Sequence, residues 1–420
     1  MKVLVVGGGG REHAILYKLS QSEKVTKLYC APGNFGTRKL AESVPLKVMD
    51  KEGILDFSLK NNIDMVVVSP DDPLADGMVD YLEKGGIRAF GPCKDAARIE
   101  SSKIFAKNLM KKYNIPTARY ETFEDSESAV SFVKEMDTYP VVVKADGLAL
   151  GKGVIIAHDF ESAEYAIVSM MENKKFGASG TKIVIEEYLT GPEVTVLAFT
   201  DGKTLVPMVS SQDHKRAYDN DEGPNTGGMG AFSPSPVYSE EVAEICMRDI
   251  FMPTLEALNK EGIVYKGVIY FGLMITKDGP KVIEYNARFG DPEAQCVLAR
   301  LDSDLYEIFD AIVERRLDGM EIKWKKEKAC CVVLASGGYP GKYETGYEIF
   351  GVEQAERVGA YVFHAGTGGI DKCVTAGGRV LGVTALGKTL EEAILRAYKA
   401  SAHISFKDMY YRKDIGRKFV

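Results

Sequence analysis

Acidic, amide and guanidinium side chains crowd into one short stretch, Ile283-Glu284-Tyr285-Asn286-Ala287-Arg288-Phe289-Gly290-Asp291-Pro292-Glu293. If the stretch begins as a strand, Glu284 and Asn286 point to the same face. Oxygen ligands one residue apart suit Mg2+, which is usually held by one or two protein groups together with substrate phosphates. Arg288 joins that face if the strand continues, where a guanidinium pairs with a carboxylate or an acyl phosphate. A surface hairpin is the bland alternative, but it gives no reason for so many polar groups around Gly-Asp-Pro.

Two glycine-rich segments suggest phosphate handling. Gly147-x3-Gly151-Lys152-Gly153 is one residue short of a Walker A loop, ends in Gly and leads into a strand, so it is not a P-loop. A hairpin cap of this kind can still lay N–H groups and Lys152 over ATP phosphates, with Lys144 adding a second point charge. Gly7-Gly8-Gly9-Gly10-Arg11-Glu12-His13 follows a strand and opens a helix. That puts free N–H groups and the positive helix end where a phosphate can sit. Read from Gly8, however, the third glycine of a dinucleotide fingerprint is His13, and the second strand ends in Ala31-Pro32-Gly33-Asn34 without a ribose-binding acid. The pattern favours a phosphate-bearing ligand over NAD; a merely tight turn is the alternative.

Glu186-Glu187-Tyr188-Leu189 ends a strand and Gly191-Pro192-Glu193 begins the next. A chain crossing between two lobes there can offer backbone groups to an adenine edge and Glu193 to ribose hydroxyls, against the alternative of a solvated acidic turn. Ser211-Gln212-Asp213-His214-Lys215-Arg216 and Gly223-Pro224-Asn225-Thr226-Gly227-Gly228-Met229-Gly230 read as one long irregular region. Such loops are functional or disordered, and the alternation of Asp, Lys and Arg with small residues favours a substrate-closing loop. No Ser/His/Asp or Cys/His arrangement is visible, so covalent catalysis has no support.

The elements that must position these groups form about three domains, at one per ~150 residues, in a chain of 420. The first hundred residues alternate strand and helix: strands Lys2–Val6, Val25–Cys30 and Met65–Ser69, a helix from Arg11 to about Ser20, and one from about Lys94 to Lys111. Their continuous apolar runs suit a parallel sheet covered on both faces. From Tyr139 the pattern becomes hairpin-rich α+β, with strands near 140–144, 154–157, 182–188, 193–200, 204–209, 266–276 and 281–284. The Lys-bearing stretch 323–328 precedes a last region with strands near 329–334, 361–364 and 380–386 and a helix near 390–402.

Composition narrows the classes. With 53 Lys+Arg against 60 Asp+Glu, a net charge of −7, 45% hydrophobic and 27% charged residues, the chain is an ordinary globular one without a general footprint for nucleic acid or anionic membrane. No run approaches the ~18 apolar residues that span a bilayer. The 7 Cys lack Cys-x-x-Cys pairs and the 5 His lack ligand spacing, which disfavours zinc sites and disulfide frameworks and makes a reducing cytoplasm the default.

Taken together, these motifs resemble those of the phosphoribosylamine–glycine ligases (glycinamide ribonucleotide synthetases), a purine-biosynthesis family of the ATP-grasp superfamily. The resemblance covers essentially the whole chain and extends to Ala335-Ser336-Gly337-Gly338-Tyr339-Pro340-Gly341 and Gly377-Gly378-Arg379-Val380-Leu381-Gly382-Val383. Its length is that of the monofunctional form. The resemblance implies an α/β fold with an N-terminal doubly wound parallel-sheet domain (1–102), a split ATP-grasp α+β region (103–322, with a mobile lobe about 120–190 and a central lobe about 191–322) and a small C-terminal α/β domain (323–420). It implies ATP-dependent ligation of glycine to 5-phosphoribosylamine through glycyl phosphate, with ATP and Mg2+ (or Mn2+) required, in a cytoplasmic monomer with no nucleic-acid or membrane partner. Another ATP-grasp ligase or carboxylase is the alternative, and an NAD-dependent oxidoreductase a remoter one. By resemblance, Lys103, Lys144, Gly151, Lys152 and Gly153 hold the phosphates, and Glu186, Tyr188, Leu189 and Glu193 line adenine and ribose. Glu284 and Asn286 look like the metal ligands. Asp213 and Arg288 are the catalytic pair, binding the amine and carboxylate of glycine. Gly9, Gly10, Asn34, Asn225, Thr226, Gly227, Gly228 and Met229 surround phosphoribosylamine. Two departures stand out: Ser69-Pro70-Asp71-Asp72-Pro73-Leu74 replaces the family's Gly-Pro-Glu-Ala-Pro-Leu, and no acidic residue lies in Tyr270-Phe271-Gly272-Leu273-Met274, where related enzymes carry a further metal ligand.

Overall fold

The β-branched runs of the N-terminal region form a five-stranded parallel sheet in the order Glu42–Ser43, Lys27–Pro32, Lys2–Gly7, Met65–Val68, Ala89–Phe90. This is the doubly wound pattern, in a computed structural model that describes residues 1–149, 153–173 and 177–419. Val3, Val5, Val67, Leu4, Val6 and Val66 are all buried, on alternate faces of the sheet, as expected of parallel strands covered on both sides. The second strand begins at Lys27, not Val25.

The single helix expected over 94–111 is two, Lys94–Ser101 and Lys103–Lys112. Ser102 adopts extended backbone, and its hydroxyl caps the second helix by accepting from Phe105 N at 3.1 Å, a common N-cap arrangement. The break docks the new N-terminus on Asp146: the Asp146 carboxylate accepts from Ile104 N at 2.8 Å and from the Ser102 hydroxyl at 3.0 Å. Lys103 is thereby brought to the turn after Val141–Ala145.

Residues 120–187 build a separate lobe. Its antiparallel sheet runs Tyr120–Phe123, Ile183–Glu187, Val141–Ala145, Val154–Ala157, covered by the helices Ser126–Met136 and Phe160–Met171. Val133, Val143, Ile167, Met170 and Ile183 give it a core of its own. Opposite stands a second antiparallel sheet, Leu205–Pro207, Glu193–Thr200, Gly267–Thr276, Gly279–Asn286, whose inner face shares a core with the N-terminal domain.

The polar region around 211–230 is not irregular. Gln212–Asp213 and Gly230–Ser233 join Lys328–Ala335, Arg379–Gly387 and Tyr361–His364 in a five-stranded sheet, while Arg216–Tyr218 and Glu222–Asn225 form a hairpin. The sheet of the last region thus takes in strands that precede residue 323. Arg412, fully buried, binds Asp414, Asp221 and the Arg216 carbonyl and ties the C-terminal segment to this hairpin. Among the described residues no helix is long and apolar enough to cross a membrane.

Candidate active site

The strand Gly279–Asn286 forms one wall of the crevice. Gly272 stands opposite Glu284, and Tyr270 opposite Asn286. Lys215 Nζ lies 3.0 Å from Glu193 Oε2 and 3.5 Å from Glu284 Oε1. Burial opposes ionisation of Glu284, but Lys215, then Lys144, Lys103 and Arg288, outweigh it and hold the carboxyl below its ordinary range. An ionised carboxylate and the Asn286 amide oxygen on one strand face fit a divalent cation that takes its remaining ligands from phosphate and water. Among the described residues no group of three or more His, Cys, Asp or Glu is arranged to hold a metal without such help.

The strand ends at Asn286, so Arg288 reaches the site from the bend beyond it. Its Nη2 lies 2.8 Å from Glu100 Oε1 and donates to Asn286 Oδ1 at 3.1 Å, Nη1 donates to the Phe289 carbonyl at 3.2 Å, and Nε is buried without a partner. Glu100, on the helix Lys94–Ser101, also accepts from Ala287 N at 2.7 Å. Burial raises the Glu100 pKa, with Arg288 as the main opposing charge; burial acts against the Arg288 charge, but Glu100 and then Asp71 hold it firmly. Glu100 escaped sequence reasoning, and its only signal was an acidic residue among the apolar positions of a helix face. Asp71, the family departure, opens the short helix Asp71–Ala75 and adds to the field on Arg288.

Asp213 faces the same crevice. Burial, opposed by Lys215 and reinforced by Glu293, Glu193 and Glu284, pushes its carboxyl up to about 8. Glu293 Oε1 accepts from the Tyr270 hydroxyl at 2.9 Å, and that hydroxyl meets Thr195 Oγ1 at 2.9 Å. An ammonium group placed beside it would favour the ionised form of this carboxyl.

The other wall comes from the separate lobe. Lys144 Nζ bridges the crevice, lying 3.0 Å from Glu186 Oε2 and donating to the Ile283 carbonyl at 3.0 Å. Lys103 Nζ donates to the Gly147 carbonyl at 3.1 Å. Burial lowers the Lys103 pKa, chiefly against the pull of Glu284. Ala145 N donates to the Gly153 carbonyl at 2.8 Å, and a Cβ on Gly153 would lie 2.7 Å from that of Ala149, so a side chain there would displace Ala149. Gly151 and Lys152 lie outside the described residues. Tyr188 is 41% exposed, and Leu189 half-buried, on the link between the sheets.

The N-terminal glycine turn differs from expectation. Two of its N–H groups are taken: Gly9 N donates to Glu12 Oε2 at 2.6 Å and Arg11 N to Asp291 Oδ2 at 3.2 Å, so protein carboxylates stand at the positive helix end. A Cβ on Gly8 would stand 2.6 Å from the Gly33 carbonyl oxygen, and one on Gly10 would stand 2.5 Å from Gln295 Nε2. Asn34 uses its amide internally, donating to the Gly8 and His364 carbonyls at 2.9 and 2.8 Å and accepting from Thr37 N at 3.0 Å. Thr226 and Met229 are buried, and the Thr226 hydroxyl donates to the Lys215 carbonyl at 2.9 Å. Asn225 ends its hairpin strand. Arg379, whose motif carried no assigned role, donates to the Gly227 carbonyl at 2.6 Å and to that of Asp291 at 2.7 Å. It joins the Gly227–Gly228 turn to the Gly-Asp-Pro bend.

Three family models match in order: the N domain of phosphoribosylglycinamide synthetase over residues 1–100, its ATP-grasp (A) domain over 101–294 and its C domain over 329–418. The phosphoribosylamine–glycine ligase of Caldanaerobacter subterraneus subsp. tengcongensis is 51% identical over 416 residues, 99% of each chain. The trifunctional purine biosynthetic protein adenosine-3 of Gallus gallus is 48% identical over 424 residues, covering 100% of this chain and 42% of that protein. The crystal structure of the phosphoribosylamine–glycine ligase of Thermotoga maritima superposes with a TM-score of 0.84 at 34% identity, covering 99% of this chain and 100% of that one. Two antiparallel sheets closing on a crevice, lysines on one and an acid–amide strand on the other, define an ATP-grasp enzyme. The chain belongs to the phosphoribosylglycinamide synthetase family.

Proposed function

We propose that the crevice between the Val141–Ala145 and Gly279–Asn286 strands joins glycine to 5-phosphoribosylamine, with ATP giving ADP and phosphate, and that the residues described above do this work. The chain is an ATP-dependent ligase of purine biosynthesis. The observation that carries the residue assignment is the convergence of Arg288, Asp213 and Glu284 with Lys144 and Lys103 across one crevice.

ATP lies with its base against Glu186, Tyr188 and Leu189, its ribose at Glu193, and its phosphates at Lys103, Lys144 and Gly153. Mg2+, held by Glu284 and Asn286, supplies neutralisation of the phosphate charge. The ammonium of glycine pairs with Asp213, and its carboxylate lies along Arg288. A carboxylate oxygen of glycine then attacks the γ-phosphorus, the bond to ADP breaks, and glycyl phosphate forms. The amine of phosphoribosylamine, held near Gly9, Gly10, Asn34 and the Asn225–Met229 segment, attacks the acyl carbon, releasing phosphate and a proton. The protein supplies placement and charge rather than a nucleophile, as phosphoryl transfer requires. Closure of the 120–187 lobe keeps water from the acyl phosphate. The reading includes a monomer working in the cytoplasm.

The test supplies purified protein with glycine, phosphoribosylamine, ATP and Mg2+ and follows ADP. Glycine-dependent ADP release with formation of the amide is expected. ADP release that ignores glycine, or answers only to another acid, defeats the proposal.

A further inference from the structure

Lys107 lies one helical turn beyond Lys103 on the helix Lys103–Lys112, and no role in the reaction has fallen to it so far. Its Nζ is 3.1 Å from Glu186 Oε2 and donates to Thr117 Oγ1 at 2.8 Å, while Thr117 donates to the Val282 carbonyl at 2.7 Å. Lys144 Nζ approaches the same Glu186 oxygen at 3.0 Å. The three charged side chains are 3%, 4% and 6% exposed for Lys107, Glu186 and Lys144. Both ammonium groups therefore converge on Oε2, and Oε1 is buried with no partner at all. Burial pushes the Lys107 ammonium down to about 8 while Glu186 opposes the fall. A cation kept in such a place has a partner to hold.

A buried acceptor left without a donor is unfavourable, and this one stands beside Lys144, which spans the two sheets of the crevice. We propose that Lys107 is a positioning residue for base selection: with Lys144 it anchors one oxygen of Glu186 so that the other accepts the exocyclic amine of adenine and turns guanine away. An ionised carboxylate only accepts hydrogen bonds. It satisfies an amino group at that edge of the base and repels the carbonyl oxygen that guanine carries there. A carboxylate freed from one anchor can turn, and its preference weakens. The inference rests on the reading that Glu186 lines the adenine pocket.

The experiment measures kcat and KM for ATP and for GTP in the full-length enzyme, at saturating glycine and phosphoribosylamine, for Lys107→Met, Lys107→Arg and Glu186→Gln. Lys107→Met is expected to raise the ATP KM about tenfold with kcat little changed, the sign of lost ground-state binding. The ATP/GTP ratio of kcat/KM should fall by a similar factor, and Lys107→Arg should restore part of it. Glu186→Gln, whose amide can either donate or accept, should lower the ratio at least as far. An unchanged ratio in Lys107→Met alongside a lowered one in Glu186→Gln overturns the role of Lys107 and leaves the pocket assignment standing. An unchanged ratio and ATP KM in Glu186→Gln overturns the pocket assignment itself. If Lys107→Met fails to fold, Thr117→Val keeps the charge but removes the second anchor. It is expected to lower the ratio by a smaller factor, and an unchanged ratio there refutes the inference equally.

Discussion

Glu100→Gln isolates the support given to Arg288. The wild-type pair is 2.8 Å apart, with side chains 7% exposed at Glu100 and 18% at Arg288. Removing one charge from a buried pair costs about 3–5 kcal/mol. Gln keeps the shape and one acceptor, and Arg288 keeps the Asn286 and Phe289 acceptors, so a cost below that range, about 2–3 kcal/mol, applies. At ~1.4 kcal/mol per tenfold, that is a loss of about 30- to 150-fold in kcat/KM for glycine if Arg288 is misplaced in the transition state. The ATP KM should stay within about twofold, because Glu100 touches none of the groups assigned to nucleotide. The assay follows ADP release against glycine concentration for the wild type, Glu100→Gln, Arg288→Lys and the double variant. If Glu100 acts through Arg288, its substitution in the Arg288→Lys background costs less than about threefold, since coupled residues are non-additive. Losses that multiply, or an unchanged glycine kcat/KM, would refute the reasoning.

Glu284→Gln removes the negative charge at the metal strand while Lys215 retains Glu193; half-saturation by Mg2+ is expected to rise about tenfold or more, read by titrating Mg2+ at fixed ATP, and an unchanged requirement counts against the assignment. Because the Asp213 carboxyl is raised to about 8, it is neutral at low pH and cannot pair with the glycine ammonium. The glycine KM should therefore fall as pH rises toward 8, Asp213→Asn should flatten the profile, and a pH-independent wild-type KM would contradict this. The same shift means the native state holds a proton that the unfolded chain releases, so this group's contribution to stability falls as pH rises between about 4 and 8. Gly8→Ala forces a Cβ to within 2.6 Å of the Gly33 carbonyl oxygen, which only a parting of two strand ends relieves. A stability loss of about 1–3 kcal/mol is expected, measured by denaturant unfolding, and an unchanged midpoint would show that the turn yields freely.

The strands Glu193–Thr200 and Tyr361–His364 fall on the apolar runs read from the sequence, because burial on both faces leaves a local mark. The helix break at Ser102 left no mark strong enough to read, since the residues on either side keep helical spacing and the reason for the break is Asp146, far along the chain. The polar stretch after Ser211 looked loop-like for the same reason. Its strands Gln212–Asp213 and Gly230–Ser233 are satisfied by pairing with one another and with Lys328–Ala335, not by any periodicity of their own.

Local order along the chain determined the alternation of strand and helix and the shared face of Glu284 and Asn286. Those properties depend on residues a few positions apart, where side-chain direction and backbone freedom act directly. Tertiary structure alone decided that Glu100 grips Arg288, that Lys107 joins Lys144 on Glu186, that Asp291 takes the Arg11 N–H, and that Arg379 closes over Gly227. Each of these pairs joins segments distant in sequence, and a buried charge finds its partner through the packing of whole layers rather than through the spacing of its neighbours.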